Sequence, residues 1–171
     1  MEISKVNTDE KVEVASLSPD SRYVSYIFKN NLYIKDLSTN EIKQITSDGK
    51  YNEIINGMPD WVYEEEFAMS RAYFWSGDSK KIAYIKFNES NVKEYTLEQY
   101  NNENYPEIIK YKYPKAGEDN SVVGVYVYDI SSGVTIQADL GSDTDIYIPR
   151  IKWTSENDLL SIVRMNRLQN E

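Results

Sequence analysis

Leu17-Ser18-Pro19-Asp20, followed by Tyr23-Val24-Ser25-Tyr26, is the stretch on which the fold turns, because it returns twice. Trp75-Ser76-Gly77-Asp78 leads into Lys81-Ile82-Ala83-Tyr84, and Trp153-Thr154-Ser155-Glu156 leads into Leu159-Leu160-Ser161-Ile162. Each copy is a large apolar residue, a tight polar turn and a short alternating or apolar run, which is a β-hairpin signature. Two copies continue alike. Leu32-Tyr33-Ile34-Lys35-Asp36-Leu37 matches Val125-Tyr126-Val127-Tyr128-Asp129-Ile130, and further strands follow at 42–46 and 134–138. Strand, turn, strand, turn, strand is the blade of a β-propeller, and helical periodicity is absent from nearly the whole chain. The expected fold is therefore all-β: a partial β-propeller of about three blades of antiparallel strands. An ordinary β-sandwich is the plain alternative.

The spacing between copies exposes two surplus regions. Trp75 to Asp129 spans 54 residues, whereas Leu17 to Asp36 spans 19, so the second copy carries an inserted arm over about 88–121. Leu17 to Trp75 is also long for a blade of roughly 40–50 residues, and its excess falls at about 51–67. Extra length on a regular scaffold is where function tends to sit.

Composition narrows the chemistry. The 171 residues include no Cys and no His, and 28 acidic against 19 basic residues give a net charge of -9. Disulfides, thiolate zinc sites, a cysteine nucleophile and the imidazole of a Ser-His-Asp triad are all excluded from this chain. The acidity argues against nucleic acid or an anionic membrane and favours a cationic ligand. The opening Met1-Glu2-Ile3-Ser4-Lys5 lacks an apolar core, so no signal peptide is expected, and no apolar run is long enough for a membrane helix. No cofactor is expected.

The first surplus region supplies the cationic-ligand candidate. Pro59-Asp60 reads as a helix start with Asp60 at the N-cap, and the helix would run Trp61-Val62-Tyr63-Glu64-Glu65-Glu66. On a helix Trp61 and Glu65 share a face, and Glu65 and Glu66 can converge on one cation at its end. Adjacent carboxylates repel unless a cation neutralises them. A peptide α-amino group or a Ca²⁺ at Glu64–Glu66 would both serve, and a solvated acidic helix end is the bland reading.

The string Asn56-Gly57-Met58-Pro59-Asp60-Trp61-Val62-Tyr63-Glu64-Glu65-Glu66-Phe67 resembles the double-Glu motif of the dipeptidyl peptidase IV family. Tyr111-Lys112-Tyr113-Pro114-Lys115-Ala116-Gly117 is similar to its Tyr-Pro-Lys-Ala-Gly element, and Met165-Asn166-Arg167-Leu168-Gln169-Asn170 to an Arg-rich strand end. The stretch from Phe67 to Phe74, ending in Arg71-Ala72-Tyr73-Phe74-Trp75, resembles bacterial members more than animal ones. The likeness runs in order through almost all of 1–171.

This resemblance implies an internal fragment of an N-terminal β-propeller from a serine exopeptidase that releases Xaa-Pro or Xaa-Ala dipeptides. Glu65 and Glu66 would bind the substrate's α-ammonium group, with Asp60, Trp61, Tyr63 and Glu64 supporting the motif. The arm, with Tyr95, Tyr100, Tyr105, Tyr111 and Tyr113, would help build a homo-oligomer. The parent would be periplasmic or on the cell surface. The chain has no Gly-x-Ser-x-Gly elbow, so the catalytic α/β-hydrolase domain is absent from it and the fragment itself is expected to be inactive. The alternative is a non-catalytic propeller that serves as an interaction module.

Overall fold

The computed structural model of the chain describes Val6, residues 11–156 and residues 158–171. The opening Met1–Lys5 stretch read above for a leader lies outside the described residues.

Four strands form the first blade: β1 (Glu13–Leu17), β2 (Tyr23–Phe28), β3 (Asn31–Asp36) and β4 (Ile42–Gln44), antiparallel and in sequence order. Next come β5 (Ile54–Asn56), helix α1 (Trp61–Phe67), β6 (Tyr73–Trp75) and β7 (Lys81–Asn88). The arm is a separate hairpin of β8 (Glu94–Gln99) and β9 (Glu107–Lys112). β10 (Val122–Asp129) and β11 (Thr135–Gln137) complete the second blade, in the order β6-β7-β10-β11. β12 (Ile146–Trp153) and β13 (Leu160–Asn166) form a two-stranded sheet. The architecture is a partial β-propeller: one four-stranded blade, a second blade to whose four strands β5 adds a fifth, two strands of a third, a short helix and an extended arm.

The repeat holds at the level of single atoms. In the first turn Ser18 Oγ donates to Asp20 at 2.6 Å and accepts from Tyr23 N at 2.9 Å. In the second, Ser76 Oγ donates to Asp78 at 2.7 Å and accepts from Lys81 N at 2.9 Å. The outer turns match too. Asp36 accepts from Ser38, and Asp129 accepts from Ser131 and Ser132. Those serine hydrogen bonds favour the charged form and hold both carboxyls down at about 2.

Two apolar clusters lie where blades meet. Ile27, Leu32 and Ile34 of the first blade pack with Tyr73, Ile82 and Tyr84 of the second. Ala83, Ile85 and Val125 of the second pack with Ile146, Ile148 and Ile151 beyond it. The repeated tryptophans tie these junctions. Trp75 Nε1 donates to Ser25 Oγ at 2.8 Å and Trp153 Nε1 to the Phe74 carbonyl at 2.9 Å, each reaching one sheet back.

β5 is a strand that the repeat alone does not predict. It pairs with the far half of β7, and β6 pairs with the near half along the same edge. Between them Gly57 N donates to the Ile85 carbonyl, Ile85 N to the Ala72 carbonyl and Ala72 N to the Gly57 carbonyl, at 2.8–2.9 Å. The surplus therefore closes at Gly57 and Ala72 rather than ending at Phe67, and residues 58–71 leave and rejoin one continuous ladder. Gly57 sits at φ +80°, and a Cβ there would lie 2.9 Å from Ile27 Cδ1, so both conformation and space select glycine.

Candidate functional site

A seven-residue helix is too short to be stable by its own propensity, so α1 must be held from outside. Asp60 caps it: its side chain accepts from Tyr63 N at 3.0 Å, with the backbone extended at φ -77°, ψ 179°. The second carboxylate oxygen of Asp60 accepts from Ser121 Oγ at 2.6 Å. Tyr63 is 1% exposed, and its hydroxyl accepts from Ile148 N at 2.9 Å. Its ring meets Phe67 and Phe87 edge-on, with centroids 5.2 and 4.8 Å apart. At the far end Ala68 takes the left-handed conformation at φ 51° that closes a helix. Arg150 from β12 donates to the Phe67 carbonyl at 3.1 Å, placing a cation at the negative end of the helix dipole.

The carboxylates that this helix carries face water. Glu64, Glu65 and Glu66 are all exposed, and among the described residues none of them makes an ion pair. Glu66 borders a cavity of about 730 Å³ together with Trp61, Val62, Tyr113, Tyr147 and Arg167. Glu65 is not among the lining residues. The helical spacing pairs Trp61 with Glu65, but the cavity instead gathers Trp61, Val62 and Glu66, because 62 and 66 are the i, i+4 pair turned toward the arm. Among the described residues no group of three or more His, Cys, Asp or Glu side chains is placed to hold a metal ion.

The five arm tyrosines separate into two sets. Tyr113 meets Trp61 at 4.2 Å between centroids, and Tyr95, Tyr111 and Tyr113 touch one another and line the same cavity. Tyr100 and Tyr105 are exposed at the tip, at 61% and 85%. The first set belongs to the seat of α1 and the second to the free end of the hairpin. Tyr51 Oη further pins the arm by donating to the Lys110 carbonyl at 2.8 Å.

Sequence reasoning did not single out Ser121, Glu89, Arg150 or the Tyr63–Ile148 contact. Glu89 is only 6% exposed at the foot of the arm. Burial, with the neighbouring Asp60 charge adding and Lys112 opposing, pushes its carboxyl up to about 7. Asp60 itself is raised by burial, against the hydrogen bonds from Ser121 and Tyr63.

The sign of the Glu89 effect is definite. Its unfolded value is near 4.5, so folding takes up a proton between that pH and about 7. Stability present below pH 4.5 is lost as pH rises through 7. Glu89→Gln is therefore expected to stabilise the protein at pH 8 by on the order of 1–3 kcal/mol. The gain should vanish near pH 4, and thermal melts of both proteins across that range check it.

Comparisons with known proteins agree along most of the chain. The family described as "Dipeptidyl peptidase IV (DPP IV) N-terminal region" matches residues 1–171. A curated protein of Coccidioides posadasii, named "Probable dipeptidyl-aminopeptidase B", is 39% identical over 167 residues, covering 89% of this chain and 18% of its own length. One of the same name from Metarhizium robertsii is 42% identical over 170 residues, covering 90% and 18%. The crystal structure of Porphyromonas gingivalis dipeptidyl peptidase 4 superposes with a TM-score of 0.91 at 42% identity, over 95% of this chain and 23% of that one. The chain thus spans about a fifth of the length of the curated relatives it matches. Among the described residues, no helix is long and apolar enough to cross a membrane.

Proposed function

The chain belongs to the dipeptidyl peptidase IV N-terminal region family, and from that premise we propose that it recognises the free N-terminus of peptide substrates. The enzyme it serves would be a serine exopeptidase that releases Xaa-Pro or Xaa-Ala dipeptides. Glu65 and Glu66 take the α-ammonium group, whose three donors suit two carboxylates and one further acceptor. The observation that carries this reading is the pairing of two exposed, cation-free carboxylates with a helix that is otherwise fixed at every turn. A fixed helix sets the distance from the ammonium group to the scissile bond, and so the dipeptide register. The chain carries no nucleophile–histidine pair of its own, so bond cleavage falls to another part of the full-length polypeptide.

The exposed Tyr100 and Tyr105 at the arm tip suit an oligomer contact, where amphipathic aromatics are enriched. The parent's place would be the periplasm or the cell surface.

The test compares an Xaa-Pro amide with its N-acetylated form in the full-length polypeptide. Acetylation removes the charge and is expected to lower kcat/KM by at least about a hundredfold. Equal turnover of both would overturn the reading. Absence of turnover on either, with peptide binding retained, would instead favour the non-catalytic propeller.

A further inference from the structure

Ser121 is 4% exposed and lies one residue before β10, a central strand of the second blade. Its hydroxyl donates to Asp60 at 2.6 Å across 61 residues of sequence. Asp60 is 7% exposed and spends its other oxygen on Tyr63 N. A carboxylate buried to this extent is costly unless its lone pairs are satisfied. Ser121 therefore does two things: it satisfies one oxygen of the cap, and it fastens the start of α1 to the beginning of a central strand. β10 pairs along its full length with β7, including Val122 next to Ser121, and its far half, Tyr126–Tyr128, also pairs with β11. The strand supplies the rigidity that a seven-residue helix lacks on its own.

We propose that Ser121 is a positioning residue for Glu65 and Glu66, holding α1 in its binding-competent orientation through the buried Asp60 carboxylate. The inference rests on the ammonium-binding reading above. Glu65 and Glu66 follow Asp60 by about one and a half helical turns, so a loosened N-cap tilts both carboxylates together. Substrate must then reorder the helix as it binds, and the apparent affinity falls by the fraction of molecules that are already ordered. Saturating substrate recovers the ordered helix. KM should therefore rise while kcat holds.

The experiment uses Ser121→Ala and Ser121→Thr in the full-length polypeptide, with an Xaa-Pro amide as substrate and hydrogen exchange at the Tyr63 amide as a readout that needs no substrate. Ser121→Ala is expected to raise KM about tenfold with kcat within about twofold, and to speed exchange at Tyr63. Ser121→Thr keeps the hydroxyl and should restore both. Unchanged exchange at Tyr63 overturns the anchoring, whatever the kinetics. Faster exchange with unchanged KM overturns the positioning role. A matched fall in kcat and melting temperature that Thr does not rescue means a merely structural serine and also overturns it. If Glu65→Ala and Glu66→Ala retain wild-type turnover, the ammonium reading fails instead, while the Tyr63 exchange result still judges the anchor on its own.

Discussion

Glu65→Ala or Glu66→Ala in the full-length polypeptide is expected to lower kcat/KM for an Xaa-Pro amide by about two to four orders of magnitude. On the proposed reading, an ammonium group entering the site would give up water and recover that cost only through charge-assisted hydrogen bonds. Removing one of two carboxylates leaves a half-neutralised cation in a partly dry environment. Breaking a buried pair costs about 3–5 kcal/mol, against under ~1 kcal/mol for an exposed one, and the larger figure applies here because the bound peptide would cover carboxylates that are exposed without it. Glu65→Gln and Glu66→Gln should recover only part of the loss, since shape is kept and charge is not. The fold should survive every one of these changes, because all three glutamates are exposed. Near-wild-type kcat/KM in both alanine variants would sink the assignment. A fall in melting temperature of equal rank would mean that the helix, not the ligand, was lost.

The largest effect on stability should come from Tyr63→Ala. This side chain is buried in the cluster between the second and third sheets, against Phe67 and Phe87. Truncating a packed aromatic costs about 3–5 kcal/mol. In a domain of this size that is on the order of 10 °C in melting temperature. Tyr63→Phe separates packing from polarity. It keeps the ring but leaves Ile148 N–H without its 2.9 Å acceptor, at a cost of about 1–3 kcal/mol. Thermal melts of wild type, Phe and Ala variants measure both steps. A Phe variant as stable as wild type would show that water satisfies Ile148 N–H.

The fold was legible because a repeated turn forces a repeated strand. Ser18-Pro19-Asp20 and Ser76-Gly77-Asp78 differ in sequence yet place serine and aspartate in the same hydrogen bonds. Helix α1 was legible from its cap, since Asp60 followed by Trp61 to Glu66 suits a helix start. β5 was not legible. Ile54–Asn56 is three residues long and earns its strand character only from the β7 edge, which the local sequence cannot reveal. The division of the arm tyrosines was hidden for a related reason: Tyr111 and Tyr113 sit two residues apart at the end of an exposed hairpin, and it is the distant Trp61 that packs on Tyr113, which in turn meets Tyr111. Nothing marks Ser121 in the chain, because its partner is 61 residues away. Long-range hydrogen bonds to a buried carboxylate leave no periodic trace.

The closure at Gly57 and Ala72 has an evolutionary corollary. The sheet edge runs from β5 to β6 with residues 58–71 looped out, and the three hydrogen bonds that seal the gap are all between backbone groups. Such a junction is indifferent to what the loop contains. Strand register is thus set without the loop's side chains, while the loop carries core contacts of its own at Tyr63 and Met69: its exposed positions, Glu64 to Glu66 among them, can change at little cost to folding, and its buried ones cannot.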